Sequence, residues 1–166
     1  MKYPLRVVSV ERSLFEGDVE FIIATGADGE LGVLARHAPL MTVLKPGALR
    51  IQETLGAPEQ LLFVGGGFLE VLPDRVTVLA DVAEHAEEIS VERAEEARKR
   101  AQEKLAGTLT TAEETEFQNA LAMAEARLRS AARTASRRWR LPRPPCNRRK
   151  AAARSRFSRS WPRFRR

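Results

Sequence analysis

The chain has 166 residues, 43% of them hydrophobic, which suits one ordinary domain or two small ones with a modest core. Its apolar runs fall short of the roughly 18 to 20 residues that span a membrane, and no signal-peptide segment opens it. These features predict a cytosolic chain without membrane insertion. The single cysteine, Cys146, excludes an internal disulfide.

The net charge of +6 conceals an uneven distribution of charge along the chain. Residues 137–166 hold 13 of the 28 basic residues and none of the 22 acidic ones, so residues 1–136 carry a net charge of −7. The pI of about 10.2 therefore reflects the C-terminal tail. The acidic body is not expected to bind nucleic acid.

Residues 1–86 are predicted to form a β domain. Short segments rich in Val, Ile, Leu and Phe recur every 8 to 12 residues or so, bounded by Gly, Pro or Asp, which favours an antiparallel sandwich or barrel. The predicted strands span 5–11, 18–26, 30–34, 40–45, 47–53, 59–64, 67–73 and 75–82. The glycine-rich "VGGGFLE" lacks the Lys and Ser/Thr of a phosphate loop, so it indicates a strand junction or bulge.

Residues 87–136 are predicted to form an antiparallel helical hairpin. Helices are expected over 90–107, capped by Ser90, and over 110–135, capped either by Thr110 with Glu113 or by Thr111 with Glu114. The facing positions are mostly Ala, which buries little area, so the hairpin should be weakly held. It is either a structural appendage or an arm that detaches and extends. The predicted facing positions are Ala94, Ala97, Ala101 and Leu105 on the first helix, and Phe117, Ala120, Leu121, Ala124, Leu128 and Ala131 on the second.

Residues 137–166 are predicted to form a disordered Arg/Pro-rich tail. Arginines interleaved with aromatic residues are suited to binding nucleic acid or anionic lipid. The alternative is an extension without a selected role.

No catalytic constellation is found in the sequence. The two histidines, His37 and His85, have no further ligand at zinc spacing, and Cys146 lies in the tail. The expectation is a non-catalytic protein, with no catalytic and no metal-binding residues.

Several segments, in order over about residues 4–133, carry a resemblance to one family. "GELGVLARHAPLMT", "KPG", "GGGFLEV", "VTVLAD" and "ERAEEARKRA" resemble the epsilon subunit of the bacterial and chloroplast F-type rotary ATP synthase. The resemblance implies an α+β fold: an N-terminal β-sandwich of ten strands, then a two-helix hairpin. It also implies a peripheral central-stalk subunit at the cytoplasmic face of the membrane. Its implied partners are the gamma subunit and the c-subunit ring, with the catalytic beta subunits engaged when the hairpin extends to restrain ATP hydrolysis.

The resemblance places the c-ring contact in "GELGVLARHAP", with Glu30, Arg36 and His37 as the candidate residues. The alternative role for His37 is to pack the loop beside Pro39. Because exposed ion pairs contribute only about 0–1 kcal/mol each, many contacts would have to share the binding.

Some members of the family bind ATP on the folded hairpin, which makes ATP a possible regulatory ligand without any required cofactor. The corresponding residues here are Ile89, Arg93 and Ala94, with Arg127 on the second helix as a phosphate-binding cation. Ser90 stands where the family motif has Asp, so this residue either weakens nucleotide binding or only caps the helix.

The remaining basic residues of the hairpin suit an acidic surface on the beta subunits. These candidates are Arg98, Lys99, Arg100, Lys104, Arg129 and Arg133. The sequence thus predicts a non-catalytic rotor subunit. The alternative is a nucleic-acid or anionic-lipid binding protein that acts through the tail.

Overall fold

The structure, a computed structural model, describes residues 1–138: ten β-strands followed by two α-helices. The predicted tail lies outside the described residues, except that the last helix includes residues 137 and 138. The strands are β1 Tyr3–Ser9, β2 Ser13–Val19, β3 Phe21–Gly26, β4 Gly29–Leu34, β5 Leu40–Leu44, β6 Gly47–Gln52, β7 Gln60–Val64, β8 Gly67–Val71, β9 Val76–Ala80 and β10 Ala83–His85. The helices are α1 Val91–Leu105 and α2 Thr111–Arg138.

The strands form two layers, which confirms the predicted sandwich. One layer has the order β4-β3-β6-β7-β10 and the other β5-β8-β9-β1-β2. Strand pairing links the two layers at one residue pair, Gly26 of β3 with Leu44 of β5. Among the described strands, all pairings are antiparallel except that of β1 with β9.

The core lies between the two layers because alternate residues of most strands point inward. Val7, Ile22, Val33, Ile51 and Val78 are each fully buried there. The hydroxyl of Tyr3 donates a hydrogen bond of 2.8 Å to the Val33 carbonyl across the layers. Burial of this phenol raises the pKa of Tyr3.

Two strands escaped the sequence prediction for physical reasons. β2 contains Glu16, Gly17 and Asp18, and its outer residues are solvent-exposed, so it lacks the apolar run of a strand. β10 has three residues, which is shorter than a pattern of alternation can reveal. The residue pattern therefore predicted eight of the ten described strands, whereas the family resemblance implied all ten.

The glycine-rich segment is a strand junction, as predicted. Gly66 and Gly67 have φ values of +134° and +115°, which disfavour any residue with a side chain. A Cβ atom at Gly67 would also clash with the backbone carbonyl of Leu79. Glycine therefore permits β8 to begin tightly against β9.

The two helices form the predicted hairpin, with caps that the sequence anticipated. The Ser90 hydroxyl accepts a hydrogen bond of 3.4 Å from the Arg93 amide at the start of α1. The capping box of α2 is the pair Thr110 and Glu113, in which the Thr110 amide donates to the Glu113 carboxylate at 2.9 Å.

The predicted packing stripe is only partly correct. Ala94, Ala101 and Ala124 are buried, but Ala97 and Ala120 are exposed. The reason is that α2 packs against α1 and also against β6 and β7 of the sandwich. Its buried residues therefore include Ala126 and Ser130 as well, and the Ser130 hydroxyl is satisfied by a 2.9 Å hydrogen bond to the Ala126 carbonyl.

Candidate functional site

An apolar cluster fixes the hairpin to the outer face of the layer that contains β6 and β7. Phe63 is fully buried at its centre. Gly65 lies beneath Met123, where a Cβ atom would come within 2.6 Å of the methionine methyl carbon. Burial of each large side chain stabilises by roughly 1.5–3 kcal/mol, so this contact is stronger than the Ala-rich helix pair alone. The cluster comprises Leu61, Phe63, Ala86, Ile89 and Ala126, with Met123 and Ala131 packed against it.

Among the described side chains, two ion pairs also join α2 to the sandwich. The Arg127 Nε donates to Glu84 on β10 at 2.6 Å, and the Arg127 guanidinium lies 4.8 Å from the centre of the Phe63 ring. Arg133 lies 3.8 Å from Glu30, and both side chains are about half exposed, at 49% and 56%. The second pair is therefore weak.

A short connection between β10 and α1 sets the direction of the hairpin. The Glu88 amide donates to the His85 carbonyl, and Arg12 donates to the Glu88 carboxylate at 2.9 Å. The Arg12 guanidinium lowers the pKa of Glu88. This exposed contact ties the connection to the sandwich at the place where the chain would have to bend if the hairpin moved away.

The outer face of the second layer carries a continuous apolar row that faces solvent. Cross-strand pairing places Val43 beside Phe68, Phe68 beside Leu79, and Leu79 beside Val8. Val43, Phe68 and Leu79 are exposed by 50%, 45% and 49%, and neighbouring Met41 by 67%. We call Val8, Val43, Phe68 and Leu79 the open apolar row. A contiguous exposed patch of this kind marks a protein-binding surface.

Sequence analysis missed this surface. Its signal was present: β5 and β8 carry apolar residues on both faces, including Met41, Val43 and Phe68 where an exposed face should be polar.

The structure separates the three candidate ring-contact residues of "GELGVLARHAP". Glu30 lies at the start of β4, whereas Arg36 and His37 follow its end, roughly 15 to 20 Å along the strand. The segment is not a single tip, because "GELGVL" forms β4, as the predicted strand over 30–34 requires, and the ring contact itself stays a prediction. β4 pairs only with β3 among the described strands, so all three residues lie along one edge of the sandwich.

Arg36 occupies an unusual backbone conformation in the turn after β4. Its φ is +65°, and the His37 amide donates to the Leu34 carbonyl at 3.2 Å to close the turn. This is the position of a type II turn that favours glycine. The His37 ring Nδ1 lies 2.7 Å from the Ala38 carbonyl, so His37 also packs its own loop.

The four candidate ATP-binding residues have different surroundings. Ile89 and Ala94 are buried, at 8% and 3% exposure, and contribute to packing. Arg93 is exposed, and Arg127 is engaged by Glu84. Ser90 caps α1, as its alternative role predicted. ATP binding stays a prediction.

Most candidate beta-contact residues are exposed on the docked hairpin: Lys99, Arg100, Lys104, Arg129 and Arg133. Arg98 differs, because its Nε is buried without a hydrogen-bond partner near the helix pair. Arg100 and Arg129 form exposed pairs of 3.4 Å with glutamates of their own helices. Such pairs are weak enough to be exchanged for others.

Within residues 1–138, no three His, Cys, Asp or Glu side chains are grouped to hold a metal ion. Neither of the described helices is long and apolar enough to cross a bilayer. The surface features that stand out are the open apolar row, the β4 edge and the docked cationic hairpin. Exposed apolar and charged surfaces of this kind are typical of proteins that act by binding other proteins.

Family models identify the chain. The β-sandwich domain of the ATP synthase delta/epsilon chain matches residues 2–86, and the long α-helix domain of the same chain matches residues 87–132. The chain belongs to the ATP synthase delta/epsilon family. Within that family it falls with the epsilon chains, which are non-catalytic components of the central stalk.

Curated relatives support this placement. The chain is 51% identical over 105 residues to the ATP synthase epsilon chain of Dehalococcoides mccartyi, covering 63% of this chain and 74% of the relative. It is 43% identical over 125 residues to that of Psychrobacter cryohalolentis, covering 75% and 90%.

Solved structures have the same fold. A chain of the Euglena gracilis mitochondrial ATP synthase, determined with its OSCP, F1 and c-ring, has a TM-score of 0.68 and 25% identity over 81% of both chains. A chain from the central stalk and c-ring of the Tetrahymena thermophila enzyme has a TM-score of 0.59 and 14% identity over 79% of this chain and 97% of that one.

Proposed function

We propose that this chain joins the gamma subunit to the c-ring at the cytoplasmic face of the membrane, and that its hairpin restrains ATP hydrolysis when it extends. In this role the sandwich transmits rotation that proton flow drives in the ring. The observation that carries the proposal is the open apolar row, because the other outer face is already covered by the hairpin. Gamma is the partner that we assign to this row.

The c-ring is assigned to the β4 edge rather than to a single loop. Glu30 at one end, and Arg36 with His37 at the other, present charge and hydrogen-bonding groups along this edge. The polar loops of a ring are chemically suited to such groups, with each exposed contact contributing about 0–1 kcal/mol.

Cysteine cross-linking in the assembled complex tests both assignments. Glu30→Cys and His37→Cys should each cross-link to c subunits, whereas Leu79→Cys should cross-link to gamma. Leu55→Cys is a matched control, because Leu55 is 58% exposed but lies in the β6–β7 loop. If Leu79→Cys and Leu55→Cys cross-link to gamma equally, the assignment of gamma to the open apolar row is wrong.

The restraint of hydrolysis is assigned to the exposed cations of the hairpin. Lys99, Arg100 and Lys104 lie on α1 and are suited to an acidic surface on the beta subunits once the arm extends. Replacing all three by Gln should raise ATP hydrolysis by the reconstituted complex, as should a chain that ends at Glu88. Unchanged hydrolysis with both variants would show that the hairpin does not restrain this enzyme.

A further inference from the structure

The docked hairpin depends on one arginine that reaches across to the sandwich. We propose that Arg127, Glu84 and Phe63 form an intramolecular clasp that holds the hairpin docked without any nucleotide. The clasp links residues 43 positions apart, from α2 to β10.

The geometry of the clasp makes it stronger than the other ion pairs of the hairpin. The Arg127–Glu84 contact is 2.6 Å, and the two side chains are only 30% and 27% exposed. The same guanidinium lies over the fully buried Phe63 ring at 4.8 Å from its centre. A partly buried, charge-assisted hydrogen bond is screened less than a surface pair, and the ring adds a cation–π attraction.

Of the other α2 arginines whose side chains the structure describes, neither Arg129 nor Arg133 provides an equivalent link. Arg129 pairs with Glu125 of its own helix at 3.4 Å, which does not tie the helix to the sandwich. Arg133 reaches Glu30 only at 3.8 Å, with both side chains near half exposure. Arg127 is therefore the α2 arginine whose loss should matter for docking.

The clasp has a consequence for what the hairpin can bind. While Glu84 holds Arg127, the Nε donor is engaged and the guanidinium charge is already paired, so its attraction for phosphate or for a carboxylate of another protein is reduced. When the hairpin extends, Arg127 exchanges Glu84 for an acidic partner residue, so one ion pair replaces another and the two states stay close in free energy. This exchange rests on the proposed restraint of hydrolysis, whereas the clasp itself does not.

Thiol labelling of the isolated full-length chain measures how often the hairpin opens. The reporter is Ala126→Cys in a Cys146→Ser background, because Ala126 is 1% exposed and lies on the face of α2 that packs against the sandwich. A second reporter, Ala24→Cys, is equally buried in the sandwich core and reports global unfolding. When closing is faster than labelling, the rate at position 126 is proportional to the open fraction.

Glu84→Gln and Arg127→Gln should each raise the labelling rate at position 126 about tenfold in nucleotide-free buffer. Arg129→Gln, which removes the same charge from the same helix, should change it less than about twofold. The double variant should match Arg127→Gln rather than multiply the effects of the two single variants, because the ion pair acts as a unit and Arg127→Gln also removes the contact with Phe63.

The following results would overturn the clasp. They are equal rates for Glu84→Gln and Arg129→Gln, a multiplicative double variant, or an equal acceleration at position 24. Millimolar ATP should leave the rate at position 126 of the reporter chain unchanged, and a several-fold slowing would show that docking uses nucleotide.

The rate of ATP hydrolysis by the reconstituted complex distinguishes a failure of the clasp from a failure of the proposed function. Glu84→Gln frees the hairpin while keeping Arg127, so it should deepen the restraint of ATP hydrolysis. Faster labelling with unchanged hydrolysis would support the clasp and refute the restraint. Unchanged labelling would refute the clasp whatever the complex does.

Discussion

Phe68 is the residue whose truncation tests the gamma-binding surface most sharply. A Phe side chain buries about 150–250 Å² when fully covered, and Phe68 leaves 45% of itself exposed, so a partner would cover roughly 90 Å² more. At about 25 cal/mol per Å² this area is worth about 2 kcal/mol, or roughly 30-fold in affinity. Phe68→Ala should therefore weaken binding of purified gamma by about that factor in calorimetry or surface plasmon resonance.

The matched control for this variant is Leu55→Ala. Leu55 is 58% exposed, but it lies away from the open apolar row, so its truncation should change the affinity by less than about twofold. Phe68→Ala should also leave the fold intact, because the lost cross-strand contacts with Val43 and Leu79 contribute only about 0.2–1 kcal/mol each. Unchanged gamma affinity of a folded Phe68→Ala chain would refute the assignment.

Four further outcomes follow. Arg36→Gly should raise the free energy of unfolding in urea by about 0.5–1 kcal/mol, because glycine relieves the φ of +65°; a loss of stability would contradict this. Gly67→Ala should lower the free energy of unfolding by more than about 2 kcal/mol, whereas Gly56→Ala, at a φ of +84° with no atom near the added Cβ, should lower it less. Equal losses of stability would show that the backbone clash at Gly67 is unimportant. The Thr110 amide lowers the pKa of Glu113, so this carboxylate stabilises the fold at pH values above its ordinary pKa, and the contribution is lost as the pH falls through the lowered pKa. Glu113→Gln should remove that part of the pH dependence of the free energy of unfolding in urea. An unaltered pH profile would argue against this contribution. If ATP binds, calorimetry and small-angle scattering at millimolar ATP should detect binding and compaction, and their absence would exclude the nucleotide.

The fold was largely predictable because its signals are local. Alternation of apolar residues identified most strands, and Ser90 with Thr110 marked the starts of the helices through their side-chain hydrogen bonds. β2 and β10 escaped because an edge strand with polar residues and a three-residue strand carry no such pattern.

The functional surfaces were less predictable because they depend on how distant segments meet. Helical periodicity shows which side of α2 is apolar, but not that α2 packs on two partners at once, which left Ala120 exposed and Ala126 buried. The pairing of Arg127 with Glu84 joins residues 43 positions apart and appears only once the hairpin is docked. The open apolar row likewise requires the register of four strands.

The most direct test of the central claim is the affinity of the chain for gamma with and without residues 139–166. The account assigns gamma to the sandwich, so a chain of residues 1–138 should bind gamma with the same dissociation constant as the full chain. Loss of gamma binding on removal of the basic tail would contradict the account. It would place the binding activity in the tail rather than in the sandwich.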